Sequence, residues 1–477
     1  MSASKRTLPP VITVNETAGQ HPRPHGLRTP KRIRNLELLL LLGAFGINFA
    51  SLALVRLGVG VDIPMWLIQL AMIPTIATVV LHIVLRITAP DADPFIVPIA
   101  TLLTGIGTAV IHRIDLAKEL EGWQSSSVRQ LVLSAIAVLV AAAVLIIVKE
   151  HRILQRFTYL AMLLGIVLLM LPILPGIGRT VNGASIWIDL GFFTIQPGEF
   201  AKIALAVFFA GYLTSHREIL TTMGPKVLGL RLPRLKDLGP IAVVWLASVV
   251  VLVMQRDLGT SLLYFGLFLV MLYLASGKLS WIIIGFMLFS VSAVFAYFNI
   301  SRVQSRVDGW LNAFDPNVYD AQGGSYQLVQ GMFGLSHGGL FGTGLGKGRP
   351  EITPLAESDY IFTSIGEELG LVGLFAILVL YMLLISRGFK LGISAKDDFG
   401  KLLAAGLSFT IALQCFIVIG GVTRVIPLTG LTTPFLAAGG SSLLSNWIVL
   451  AILLRVSNTV RNQPLMFIAT NAKSVSS

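Results

Sequence analysis

The segment PLAESDYIFTSIGEELGLVGLFAILVLYMLLIS, residues 354–386, decides the fold. From Leu369 to Ser386 no side chain is charged, and a helix of roughly 18 such residues is long enough to cross the hydrocarbon core of a bilayer. Four carboxylates precede that run, Glu357, Asp359, Glu367 and Glu368, with Glu351 just upstream. A membrane-crossing helix with acids crowded at its mouth raises the question of what the acids do.

Apolar runs of the same kind recur along the 477 residues. The chain is 55% hydrophobic and 13% charged, with a mean hydropathy of +0.80, whereas soluble domains carry about 25% charged residues. This predicts an all-α polytopic membrane protein with about twelve transmembrane helices. They fall near 37–57, 64–86, 94–112, 129–148, 156–175, 198–214, 239–255, 258–276, 279–299, 368–386, 401–420 and 433–455. A long extracytoplasmic loop region, 300–367, separates the ninth from the tenth. Residues 1–36 read as a basic, disordered cytoplasmic tail, 37–150 as N-terminal spans, 151–299 as core spans, 368–456 as C-terminal core spans and 457–477 as a second cytoplasmic tail. The first span is read as retained, because the tail before it is too long for the n-region of a secretory signal.

Cys415 is the single cysteine, so neither an intrachain disulfide nor a cysteine zinc site is expected. The net charge of +12 does not point to nucleic acid, because its location matters more than its sum. With both termini placed in the cytoplasm, about 24 of the 36 Lys and Arg residues fall on the inner side, as the positive-inside rule requires. The opening acids then lie on the outer face, with the Gly-containing segments 176–197 and 421–432.

Polar residues break the apolar pattern in four places. In IQPGEFAKI, Glu199 and Lys202 are spaced i,i+3 within a span, where each charge costs roughly 2.5–3.5 kcal/mol at mid-membrane. They read either as a structural ion pair or as the lining of a substrate path. In QRDLGTSLL, Asp257 opens a helix and reads first as an N-cap. In SRVQSRVDGWLNAFDP, Arg302 and Arg306 recur at helical spacing and suit phosphate oxygens, of lipid headgroups or of a specific diphosphate. GGLFGTGLGKGRP looks like a phosphate loop, but Lys347 is followed by Gly348 and no strand precedes it, so nucleotide binding is disfavoured. A turn whose amides approach phosphate or sugar, with charge from Lys347 and Arg349, fits better.

Glu367 and Glu368, just before a helix expected at about Leu369, read as complements of its dipole. Asp359 is different. It is followed by Tyr360, Ile361 and Phe362, and an Asp among apolar groups has a raised pKa that suits a general base. A cap or loop role is the alternative at this point.

These stretches, together with GGSYQLVQG, ESDYIFTSIGEELGLVG, IPLTGLTTPF and GGSSLL, resemble the SEDS family (shape, elongation, division and sporulation) in type and order over roughly residues 155–455. Family members commonly have ten spans, so the resemblance makes one N-terminal pair an addition. It implies a peptidoglycan glycosyltransferase that polymerises lipid II at the outer face of the bacterial cytoplasmic membrane, of the elongation type rather than the division type. It places the family's essential aspartate on Asp359, its paired Glu and Lys on Glu199 and Lys202, and its turn aspartate on Asp257. Arg302, Arg306 and Lys347 would then neutralise the undecaprenyl diphosphate leaving group, with a divalent cation, Mg²⁺ or Mn²⁺, as a possible helper. No organic cofactor is implied. The implied protein partner is a class B penicillin-binding protein, a transpeptidase.

Two departures stand out. Ser185 and Ile186 precede Trp187 where the family often has Arg, leaving Arg179 as the other arginine of that loop. Ala438 replaces a common Tyr. A flippase for lipid-linked precursors is the rival reading, because Glu199 and Lys202 also suit a transport path; a pure scaffold would leave the outer acids and bases unexplained.

Overall fold

The computed structural model describes residues 30–462 apart from 182–183, 190, 192–193, most of 218–253, 256 and 322. The expected N-terminal tail through residue 29, most of the span near 239–255, Arg256 and the C-terminal tail from 463 lie outside the described residues. The remaining apolar runs are helical. They form α1 (Pro30–Val59), α2 (Met65–Thr88), α3 (Ile96–Ala117), α4 (Ser126–Ile147), α5 (Thr158–Met170), α6 (Gly198–Ser215), α7 (Leu258–Ser276) and α8 (Leu279–Asn299). The series continues with α9 (Ser301–Leu311), α10 (Tyr326–Gly338), α11 (Ile361–Ser394), α12 (Asp398–Val422) and α13 (Gly440–Arg461). Among the described residues, nine of these helices are long and apolar enough to cross a membrane.

Side-chain chemistry sets several boundaries. Ser125 caps α4, Asp257 caps α7 and Asp397 caps α12, each accepting from a first-turn backbone N–H. Such caps satisfy donors that no intrahelical carbonyl can reach. The apolar window of α3 is 83% buried and those of α12 and α13 72%, against 22% for α1 and α8. The first three therefore form the centre, and α1 and α8 present most of their surface outward. α1 packs on α3 and α2 on α4, so the first two spans join the bundle through its third and fourth.

The structure departs from the expected scheme in three places. α1 begins at Pro30, so residues 30–36 of the expected disordered tail are helical. The 176–197 segment is not a plain loop: β1 (Gly178–Val181), β2 (Ala184–Asp189) and β3 (Thr194–Ile195) form an antiparallel three-stranded sheet. The tenth expected span begins earlier than 368. α11 starts at Ile361 and breaks at Gly370, whose φ of 67° and ψ of −171° interrupt the helix.

That break explains both the acids and the Gly-rich segment. Thr343 N–H donates to the Glu367 carbonyl and Gly344 N–H to that of Glu368, each at 3.0 Å. Leu371 N–H donates to Gly339 O at 3.0 Å and Val372 N–H to Leu340 O at 3.1 Å. The 339–344 turn thus pairs orphan groups on both sides of the break. A Cβ on Gly370 would lie 2.2 Å from Gly342 N, so only glycine fits there. The side chains of Glu367 and Glu368 are buried and act by direct contact rather than through the helix dipole. Glu367 accepts from Arg349 N–H at 2.8 Å and approaches His337 at 3.2 Å, while Glu368 faces Arg113 of α3 at 3.4 Å. The turn amides expected to meet phosphate or sugar are in part spent on the protein's own helix.

Candidate active site

Segment 354–360, α9, the β-sheet and segment 428–438 converge on a cavity of about 1460 Å³. Its lining includes Asp257, Arg302, Arg306 and Asp359. Four residues read separately from the sequence therefore share one space.

Asp359 sits in a tightly held loop. Leu355 takes a left-handed φ of 56°, and its carbonyl accepts from Ser358 N–H at 3.1 Å and Tyr360 N–H at 3.3 Å. The Tyr360 ring is fully buried against Gly331 of α10, where a Cβ would lie 2.8 Å from it. On the other side, Ala438 N–H donates to Glu357 O at 2.8 Å, and Lys118, at the C-cap of α3, holds the Glu357 carboxylate at 2.8 Å. A loop fixed at both flanks presents its carboxylate in a set direction, as a proton-transfer group requires.

The Asp359 carboxyl is pushed up to about 6, burial being the main cause. The Arg306 charge and a hydrogen bond with Ser358 oppose the rise, and the carboxylates of Asp257 and Glu357 add to it. Arg306 itself donates to the Leu428 carbonyl. Between the two groups lies Gly430, with φ of 80°; a Cβ there would sit 3.3 Å from Arg306 Nη2 and 3.7 Å from Asp359 Oδ2. The cavity thus brings a carboxylate of raised pKa close to a guanidinium, with a second arginine, Arg302, on the same helix.

Asp257 is both cap and lining. Its Oδ1 accepts from Gly259 N–H at 3.0 Å and Thr260 N–H at 3.2 Å, and its Oδ2 accepts from the Thr260 hydroxyl. Burial pushes its carboxyl up, against these bonds and the Arg306 charge. With its oxygens engaged in this way, Asp257 is a poorer proton acceptor than Asp359.

Three expected site residues lie elsewhere. Glu199 and Lys202 do not line the cavity; they form a buried ion pair of 2.6 Å. Lys202 Nζ also donates to Gln414 Oε1 at 3.1 Å and Asn446 Oδ1 at 3.0 Å, and the Ser445 hydroxyl donates to Glu199 at 3.0 Å. The pair joins α6, α12 and α13, and its one link toward the cavity is Gln414, which donates to Thr432 O at 2.9 Å. The ion-pair reading therefore holds over the lining reading: Lys202 Nζ is committed to Glu199, Gln414 and Asn446, and neither residue of the pair lines the cavity. Lys347 is exposed on the Gly-rich turn, outside the cavity lining.

The site also uses residues that the sequence reading did not place in it. Strand register sets Arg179 opposite Trp187, and both line the cavity. Arg179 also pairs with Asp189 at 3.0 Å. Asn182-Gly183 between two alternating runs is a hairpin signal that could have found this sheet. Trp310, Thr429 and Gly430 complete the lining around Arg306.

Among the described residues, no three His, Cys, Asp or Glu side chains gather to hold a metal ion. Of the two carboxylates among the described lining residues, Asp257 is spent on a helix cap and Asp359 is not. The residues do not form a protein cage for Mg²⁺ or Mn²⁺, which demand near-octahedral oxygen sets.

The family model described as cell cycle protein, for FtsW, RodA and SpoVE, matches residues 94–462; α1 and α2 precede the match. The chain is 46% identical over 433 residues to the peptidoglycan glycosyltransferase RodA of Mycobacterium tuberculosis strain H37Rv, covering 90% of this chain and 91% of that protein. It is 31% identical to the stage V sporulation protein E of Bacillus subtilis strain 168, covering 78% of this chain and 98% of that one. Its fold is similar to a chain of a solved peptidoglycan synthase complex, with a TM-score of 0.61 at 23% identity over 78% of this chain and 99% of that one. The crystal structure of the Thermus thermophilus rod shape determining protein RodA gives a TM-score of 0.53 at 23% identity over 78% and 98%. The chain belongs to the SEDS family, the family of FtsW, RodA and SpoVE.

Proposed function

We propose that this chain is a peptidoglycan glycosyltransferase that polymerises lipid II at the outer face of the cytoplasmic membrane during cell elongation. The observation that carries the reading is Asp359: a carboxylate of raised pKa, fixed on both flanks, in a cavity with Arg302 and Arg306. Asp359 takes the proton of the acceptor sugar's 4-hydroxyl as that oxygen attacks the donor's anomeric carbon. The bond from that carbon to undecaprenyl diphosphate breaks, with inversion. Arg302 and Arg306 offset the negative charge gathering on the departing diphosphate, where preorganised donors in a water-poor site act most strongly. Asp257 holds the start of α7 beside this site.

Sidedness follows from charge. With both termini in the cytoplasm and the cavity outside, about 24 of the 36 Lys and Arg residues fall on the inner side, which supports that orientation. The partner that fits is a class B penicillin-binding protein, since the similar synthase chain belongs to a complex that coordinates polymerization and crosslinking. A divalent cation enters only as a companion of the substrate diphosphate, bound through one carboxylate and phosphate oxygens. The transport reading loses its residues, because Glu199 and Lys202 are spent on one another and on α12 and α13.

The test is polymerisation of purified lipid II in detergent, where there are no two sides to transport between. Asp359→Asn and Asp359→Ala lose about 10²- to 10⁴-fold in rate, the usual contribution of a general base. Glycan made at the normal rate by either folded variant refutes the assignment.

A further inference from the structure

We propose that Arg424, which does not line the cavity, is the positioning residue that holds α9, and with it Arg302 and Arg306, over Asp359. This rests on the glycosyltransferase reading of the cavity given above.

Arg424 follows α12 and has a left-handed φ of 60°, a conformation that L residues other than Gly, Asn and Asp seldom keep without compensation. The compensation is a reciprocal clasp with the end of α9. Arg424 Nε donates to the Trp310 carbonyl and Nη2 to the Leu311 carbonyl, each at 2.8 Å. The Trp310 indole N–H donates back to the Arg424 carbonyl at 3.1 Å. The guanidinium also lies 5.6 Å from the centre of the Phe314 ring, just past that helix end. Carbonyls of a helix's last turn lack intrahelical partners and lie at its negative pole, so a guanidinium fork there satisfies two acceptors and favours the helix.

The clasp has consequences for the site. α9 is an eleven-residue helix outside the bundle, with only Val303 and Gly309 buried. Its packing is a small cluster of Val303 and Val307 with Ala296, Leu258 and Ile300, helped by bonds from Tyr297 to Asp308 and from Ser305 to Gly323 O. It is joined to segment 424–430 at two points: Arg424 at its end and Arg306, through the Leu428 carbonyl, in its middle. The same segment carries Gly430, the residue between Arg306 and Asp359. Without the guanidinium, α9 stays tied to segment 424–430 by the Trp310 indole bond to the residue 424 carbonyl and the Arg306 bond to Leu428 O; its end is held less firmly, and the two arginines shift relative to the base. The charged groups that act on Asp359 are Arg306, Asp257 and Glu357; of these, Arg306 alone rides on α9.

Arg424→Gly removes the guanidinium while easing the backbone, and Arg424→Lys keeps the charge without the planar fork. Both are made in the full chain and assayed with lipid II in detergent across pH, with thermal unfolding recorded alongside. For Arg424→Gly, kcat/KM falls by about 10- to 100-fold, as for other small displacements of reacting groups. The acid limb of its pH–rate profile moves to higher pH, because Arg306 no longer offsets the burial of Asp359. Arg424→Lys falls between the two. A role confined to stability would lower unfolding temperature without moving that limb. Wild-type kcat/KM and an unmoved limb in both variants overturn the proposal; should Arg424→Gly not fold, Arg424→Lys decides by the same two readings. If the unmodified chain makes no glycan, the functional reading fails instead. The clasp is then tested by spin labels at Gln304→Cys and Val425→Cys, whose distance distribution is narrow in the unmodified chain and broad with Arg424→Gly. An equally narrow distribution in both refutes it.

Discussion

Asp359→Asn is expected to make the protein inactive and, at neutral pH, more stable. The carboxyl sits at about 6 in the folded chain against an ordinary 3.8. At about 1.36 kcal/mol per pH unit, that displacement corresponds to a cost of holding the charge on the order of 3 kcal/mol, or about 2 kcal/mol once cavity water screens part of it. The sign follows from proton binding. Below pH 3.8 both folded and unfolded chains hold the proton, and the folded state has the full benefit of a neutral Asp359. As pH rises from there through about 6, the unfolded chain releases its proton first, and the benefit is lost. Asparagine is neutral throughout, so it avoids this loss.

The assay is thermal unfolding of the two proteins in one detergent between pH 4.5 and 8. The gain from Asp359→Asn should be small at pH 4.5, grow through pH 6 and level off by pH 8. In parallel, kcat/KM of the unmodified enzyme should rise about tenfold per pH unit below an apparent pKa near 6 and then plateau, as for a base that must be ionised. An Asn variant no more stable at pH 8 than the parent, or equally stabilised at both ends of the range, would refute the account of a charge held at a cost for catalysis. Such an exchange of stability for function is common at active sites.

Three further substitutions probe the scaffold. Lys202→Ala leaves Glu199 buried without its cation and should cost about 3–5 kcal/mol in unfolding free energy, whereas the double replacement Glu199→Gln with Lys202→Met should recover much of that. Gly430→Ala meets both a positive φ and the Arg306 guanidinium. It should destabilise by about 1–2 kcal/mol yet lower lipid II turnover by more than that loss of folded protein explains, as read from activity per folded molecule. Gly370→Ala drives a Cβ into the Gly342 amide and should reduce the yield of folded protein sharply, measured by monodisperse recovery in detergent.

Hydropathy made the spans legible because crossing a bilayer demands long uncharged runs, a property visible without tertiary context. The same property blurred the start of α11. Residues 361–369 are helical but carry Glu367 and Glu368, and a helix that breaks at Gly370 leaves no mark in average hydropathy. The break shows itself only through its partner, the turn at 339–344, whose amides are committed to residues about 25 positions away. Asp359 could be singled out because its chemistry is local: an acid followed by Tyr, Ile and Phe has few ways to avoid a raised pKa.

Glu199 and Lys202 illustrate the opposite limit. Their cost inside a membrane announces that they are paired, yet i,i+3 spacing says nothing about Gln414 and Asn446, which lie more than 200 residues away and satisfy the lysine. Whether such a pair lines a path or locks a bundle depends on those distant amides. Arg424 was illegible for the same reason. In GVTRVIPL it looks like an ordinary outer cation, and its fork finds the carbonyls of Trp310 and Leu311 only once the fold has returned the chain to α9. Local chemistry thus marked the residue proposed to react, while the residues proposed to aim it depend on contacts across distant segments, which no single stretch of sequence displays.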